Sequence, residues 1–136
     1  MSIVCIVGFD QSHSTIDDDL AAVVEIQNIL ERYNHKSDTI ISGESPKFGV
    51  DIFTKIAAHE ASFEFKGYPP TPNHRHWLCD DPNCYGYKNR NLDMAKDCTE
   101  LYCIAYSREQ HTYWNGGMWT MQEAEKLNKP AHLVIV

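Results

Sequence analysis

The chain has no run of lysine or arginine, and its 12 basic residues face 19 acidic ones, for a net charge of −7. Gripping nucleic acid through its phosphates needs a basic patch, so neither DNA nor RNA is expected as a partner. No apolar stretch is long enough to span a bilayer, which removes the membrane as a partner. The N-terminus, Met1-Ser2-Ile3-Val4-Cys5-Ile6-Val7-Gly8, lacks the basic lead and cleavage site of a signal peptide and reads as a strand. The cysteines (Cys5, Cys79, Cys84, Cys98, Cys103) are odd in number, and three lie in stretches that read as core strand or helix. A secreted disulfide framework is therefore not expected, and the predicted location is cytoplasmic. The loop after the first strand, Phe9-Asp10-Gln11-Ser12-His13-Ser14, lacks the G-x-G-x-x-G fingerprint, which argues against an NAD(P)-dependent dehydrogenase. There is no linker, repeat or low-complexity segment, so the 136 residues read as one domain.

What is present is an alternation of two patterns. Apolar, β-branched runs at Ser2–Gly8, Thr39–Ser42, Ser62–Lys66, Glu100–Tyr106 and Ala131–Val136 read as strands. Between them lie helical patterns at Asp17–Tyr33, Val50–Glu60, Tyr87–Cys98 and Met118–Leu127. In the first, Leu20, Val23, Val24, Gln27, Leu30 and Tyr33 follow helical spacing, Thr15 and Asp18 have capping-box spacing, and three aspartates meet the positive end of the dipole. In the second, Ile52, Phe53, Ile56 and Ala57 are expected to face inwards. Strict β-α alternation predicts a three-layer, Rossmann-like α/β fold: a five-stranded parallel sheet, order 3-2-1-4-5, with helices on both faces. One long loop insertion, at about 68–86, interrupts it. In such sheets ligands bind beyond the carboxyl ends of the strands, where the loops are expected to begin at Gly8, Gly43, Gly67 and Ser107.

The stretch from Ala105 to Glu123 concentrates the chemistry. A strand runs into a loop, the loop closes on Gly116-Gly117, and a helix follows. A helix N-terminus offers unpaired N–H groups and a positive dipole end to an anion, and glycine lets the anion approach the backbone. Thr120 adds a hydroxyl in the first turn and Glu123 a carboxylate one turn on. The bland alternative is a strand–turn–helix corner that uses glycine for tightness.

Three motifs resemble those of one superfamily. Ile41-Ser42-Gly43 followed by Gly49-x-Asp51 resembles the "SGG…GxD" turn of the SLOG superfamily, which includes the DprA/Smf and LOG (lysine-decarboxylase-like) proteins. Arg90-Asn91-Leu92-Asp93-Met94-Ala95 resembles the "RxxxMA" helix of LOG proteins, and Gly116 to Glu123 resembles their "GGxGTxxE" signature. The resemblance implies a Rossmann-like fold that binds nucleotides or their derivatives. It also implies a phosphate held by Gly116, Gly117 and Thr120, catalytic roles for Arg90 and Glu123 where the protein is a phosphoribohydrolase, and a homo-oligomer. Glu44 stands where the second Gly of "SGG" would be, and Trp119 where LOG has the Gly before Thr. Both departures weigh towards binding over cleavage.

The candidate ligand-binding residues are therefore Gly8, Asp10, Ser12, Gly43, Glu44, Asp51, Arg90, Ser107, Gly116, Gly117, Trp119 and Thr120, with loop aromatics to stack a base. No cofactor is required by these motifs. His74, His76, Cys79 and Cys84 carry the ligand chemistry of a structural zinc, without a standard finger spacing. Binding of an AMP- or ADP-ribose-like molecule is the leading expectation. Cleavage of a nucleoside monophosphate's N-glycosidic bond is the alternative, and an oligomeric module without ligand is the third reading.

Overall fold

The computed structural model describes residues 1–71, 86–107 and 116–136. Its elements run β1 (Ile3–Gly8), α1 (Ile16–Leu30), β2 (Thr39–Gly43), α2 (Val50–Glu60), β3 (Glu64–Tyr68), α3 (Tyr87–Asp97), β4 (Glu100–Ala105), α4 (Gly116–Lys126) and β5 (Ala131–Ile135). All neighbouring strands pair in parallel, in the order β3-β2-β1-β4-β5, as the alternation predicts. The central strand β1 is buried on both sides because it has no polar residue to expose. Its even residues Val4 and Ile6 pack with Ile40, Tyr102 and Ile104 beneath α1 and α2, and its odd residues Cys5 and Val7 pack with Ile41, Leu101 and Cys103 beneath α3 and α4. Cys5, Cys98 and Cys103 are buried.

Local chemistry sets the helix starts. Thr15 Oγ1 accepts from the Asp18 amide (3.1 Å) and Asp18 Oδ2 accepts from the Thr15 amide (2.8 Å), a complete capping box. Asp19 accepts from Gln11 Nε2 and Ser14 Oγ, so the aspartates serve the helix end and its loop.

Several boundaries and faces differ from the sequence reading. β3 begins at Glu64, because Ser62 adopts a left-handed φ of 63° and turns the chain before the strand. Gly67 thus lies inside β3, opposite Ser42, and does not open a loop. α4 starts at Gly116, so the double glycine forms its first turn. On α1 the buried face is Ala22, Ile26, Ile29 and Leu30, while Leu20 and Val24 are 61% and 53% exposed. On α2, Ile56 is exposed and Thr54 is buried in its stead. Both helices carry apolar residues on more than one face, so spacing alone does not choose the inward one.

At the amino ends of the strands, Glu100 accepts hydrogen bonds from Tyr33 Oη (2.5 Å) and Tyr102 Oη (3.4 Å) and meets His132 Nε2 at 2.7 Å. Burial pushes its carboxyl up, but these partners outweigh burial and hold it below its ordinary 4.5. A carboxylate depressed on folding adds stability above its unfolded pKa and loses it as pH falls through the folded value. The urea midpoint is therefore expected to drop as pH is lowered below 4.5, and less steeply in Glu100→Gln. Identical acid limbs for the two proteins would refute this.

Candidate functional site

A cleft of about 350 Å³ opens at the carboxyl ends of the strands, where β1 and β4 part company with the direction of the connections. Its back is built by two glycines. A Cβ on Gly117 would stand 3.2 Å from Gly8 Cα, so the first turn of α4 lies directly on the end of β1. Neither residue has a side chain to keep the two backbones apart, and the first turn of α4 is brought to the switch point, where Gly116 and Gly117 line the cleft.

The floor is Arg90, Asn91 and Asp51. Arg90 is buried (5% exposed), which α3's polar sequence does not suggest. Its Nη1 donates to the Tyr68 carbonyl at the end of β3 (3.0 Å) and its Nε to Asn91 Oδ1 (2.6 Å). Asn91 Nδ2 reaches the Gly116 carbonyl at 3.5 Å, so a polar chain links β3, α3 and α4. The guanidinium lies over the Tyr87 ring, 5.3 Å from its centroid. Gly43 makes this placement possible: a Cβ there would be 2.5 Å from Arg90 Nη1 and 2.7 Å from Asp51 Oδ2. Gly43 therefore shapes the floor without lining the cleft. Asp51 Oδ2 accepts from the Ser45 amide (3.1 Å), and its Oδ1 lies 3.2 Å from Ser42 Oγ. Burial pushes this carboxyl up, and the nearby Arg90 charge pulls it down only in part.

The front is formed by the first and second βα loops. The Val50 amide donates to the Phe9 carbonyl (2.9 Å) and the Gln11 amide to the Lys47 carbonyl (3.3 Å), which clasps the two loops together. Asp10 Oδ1 accepts from the Ser12 amide (2.8 Å) and shapes its own turn. Lys47, His13 and Phe48 complete this wall, with Phe9 packed edge-on against Tyr106 at 5.1 Å.

Of the residues singled out from sequence, Gly8, Asp10, Ser12, Asp51, Arg90, Gly116, Gly117 and Thr120 line this one cleft. Thr120 Oγ1 donates to the Gly116 carbonyl (2.7 Å), so its hydroxyl braces the first turn of α4. Four others are placed elsewhere. The Glu44 side chain lies over Gly67 of β3. Ser107 is exposed, and neither it nor Trp119 lines the cleft. The Glu123 carboxylate, 3.0 Å from Lys126 Nζ in a surface pair, is also absent from the lining. His74, His76, Cys79 and Cys84 lie outside the described residues, and among the described residues no group of three or more His, Cys, Asp or Glu side chains is arranged to hold a metal. Lys47 and Asn91 are cleft residues that sequence reasoning passed over. The one local hint at Asn91 is a poor helix former in a helix interior.

No family model and no curated protein matches the sequence. Solved structures do match its fold. The molybdenum cofactor (Moco) carrier protein of Chlamydomonas reinhardtii aligns with 99% of this chain and 77% of its own, at 17% identity and a TM-score of 0.67. The structural-genomics target TM1055 aligns with 96% of this chain and 72% of its own, at 16% identity and a TM-score of 0.66. DNA processing protein A (DprA) of Streptococcus pneumoniae aligns with 97% of this chain at 14% identity and a TM-score of 0.65, and this chain spans 50% of it. Over nearly its whole length the chain has the five-stranded Rossmann-like fold of these proteins, DprA among them, which is the fold that the SLOG resemblance implies.

Proposed function

We propose that the protein binds a nucleotide or nucleotide-derived small molecule, of AMP or ADP-ribose type, in this cleft. The observation that carries the reading is the contact of Gly8 with Gly117, which sets the start of α4 against the switch point with a buried arginine beside it. An anion there meets backbone N–H groups and a positive dipole end. Tyr87 and Phe48 supply apolar faces for a heterocycle. The similar Moco carrier proteins are named for a small-molecule cargo, which agrees with binding without turnover. Cleavage of an N-glycosidic bond would need a carboxylate at the reacting carbon, and the Glu123 carboxylate is engaged with Lys126.

The test is a thermal-shift panel of nucleoside mono- and diphosphates, ADP-ribose and uncharged nucleosides. A ligand at about one hundred times its Kd adds roughly 2.7 kcal/mol, or roughly 10 °C for a chain of this size. Phosphorylated ligands are expected to shift the melt and nucleosides not to. A flat panel would end the reading, and release of free base would replace it with the enzyme.

We also read the protein as a homo-oligomer. Ile16, Leu20 and Val24, one turn apart on α1, are 78%, 61% and 53% exposed, an apolar stripe on the outer face of the helix. Light scattering at micromolar concentration is expected to give at least a dimer, with Leu20→Glu reducing the mass. A monomeric wild-type protein would refute it.

A further inference from the structure

The hydroxyl of Ser42 is fully buried and sits between two acceptors: the Ile6 carbonyl oxygen at 2.6 Å and Asp51 Oδ1 at 3.2 Å. A hydroxyl carries one proton. The shorter contact takes it, so Ser42 Oγ turns a lone pair towards Asp51. An ionised Asp51 would then oppose oxygen to oxygen across 3.2 Å. A protonated one would donate Oδ1–H to Ser42 Oγ and complete a chain from the cleft floor to the backbone of β1. Its other oxygen accepts from the Ser45 amide in either state.

The charged and titratable groups facing this carboxyl come from each element around it. Arg90 from α3 favours the ionised form, while Asp10 from the β1–α1 loop disfavours it, and the Cys5 thiol of β1 interacts with it from below. Arg90 is already held by the Tyr68 carbonyl and the Asn91 amide oxygen. An anion entering the cleft adds a negative charge beside Asp51, on top of that of Asp10. The lowest-energy response is for the partly buried carboxyl, which already has an acceptor waiting for its proton, to take one up.

We propose that the cleft binds its anionic ligand together with one proton from solvent, and that Asp51 is the residue that carries it. This rests on the anion-binding reading of the cleft. By linkage, affinity falls up to tenfold per pH unit between the titration of Asp51 in the free and in the filled site. Below that window the free site is already protonated, and the dependence disappears. Asn at position 51 reproduces the protonated state, since its amide nitrogen can donate to Ser42 Oγ and its oxygen can accept from Ser45.

The test is calorimetry with ADP-ribose, whose doubly esterified phosphates keep a fixed charge near neutral pH. It is run in two buffers of unlike ionisation enthalpy, so that the buffer-dependent heat counts protons. His13 also lines the cleft, so the comparison is made in a His13→Gln background. Proton uptake of up to one per ligand is expected with Asp51 present. In Asp51→Asn uptake should vanish, and affinity on the alkaline side should exceed that of the parent. Binding without uptake in the parent, or undiminished uptake in Asp51→Asn, would overturn the coupling and leave the binding site standing. No heat with either ADP-ribose or pyrophosphate would remove the anion reading and the coupling with it. A ligand-free measurement stands beside these: carbon-13 NMR of the Asp51 carboxyl should show it titrating above the ordinary 3.8, and titration at or below that value would overturn the proposal.

Discussion

Arg90→Ala is expected to abolish the ligand-induced thermal shift and to lower the stability of the free protein by about 3 kcal/mol. The two losses share one cause. The side chain is buried, and its Nη1 and Nε hold the end of β3 and Asn91 in place. Without it the Tyr68 carbonyl and the Asn91 amide oxygen lose a charged donor, and Asp51 loses a nearby positive charge that favours its ionised form. Hydrogen bonds to charged groups each contribute about 1.5–3 kcal/mol, and the Tyr68 carbonyl keeps the Glu44 amide at 3.3 Å, which limits the loss at that end. Lysine at this position keeps the charge but not the fork that spans two acceptors, so Arg90→Lys should recover part of the shift and little of the stability. Urea denaturation and the nucleotide panel, run on the same three proteins, separate the two effects. An Arg90→Ala protein that still responds to ligand would remove the arginine from the site.

Gly8→Ala should damage the fold at least as much, by about 3 kcal/mol, and should take ligand binding with it. A Cβ at Gly8 would collide with the Ile104 carbonyl oxygen, which is backbone of the central sheet and cannot step aside, and would stand 2.7 Å from Val50 Cγ2. The only relief is to separate β1 from β4 or to lift α2, and both open the cleft. Gly117→Ala is the informative contrast. Its Cβ would meet Cys103 Sγ and Gly8 Cα at 3.2 Å, so α4 need move only by a few tenths of an ångström. A cost of about 1 kcal/mol is expected there, with a larger loss of ligand affinity, because the turn that moves is the one offering its N–H groups. Equal stability losses for the two glycines would show that α4 cannot yield by the few tenths of an ångström that Gly117→Ala requires.

The alternation of apolar strands with helical spacing settled the architecture, because a parallel sheet is the arrangement that buries such strands on both faces. Strand order and the capping box at Thr15 were both legible in that way. Gly8 was marked as the end of the first predicted strand, Asp51 and Gly117 by short motifs after predicted strands, and Arg90 by a motif in the helix before the fourth strand. The faces of α1 and α2 were not legible, because both helices are apolar on more than one side and only packing against the sheet selects Ala22, Ile26 and Ile29 over Leu20 and Val24.

Local sequence therefore determined which elements form and several of the residues that gather at the carboxyl ends of the strands. Tertiary structure alone decided which polar groups meet. Residues 43, 51, 68 and 90 come from four different elements, and nothing in their spacing says that a missing side chain at Gly43 makes room for the Arg90 guanidinium, or that Ser42 Oγ stands between the Ile6 carbonyl oxygen and Asp51 Oδ1. It likewise left Glu123 and Trp119 out of the cleft lining. The motif fixes a residue's position along a helix, whereas the rotation of that helix against the sheet fixes where its side chain points.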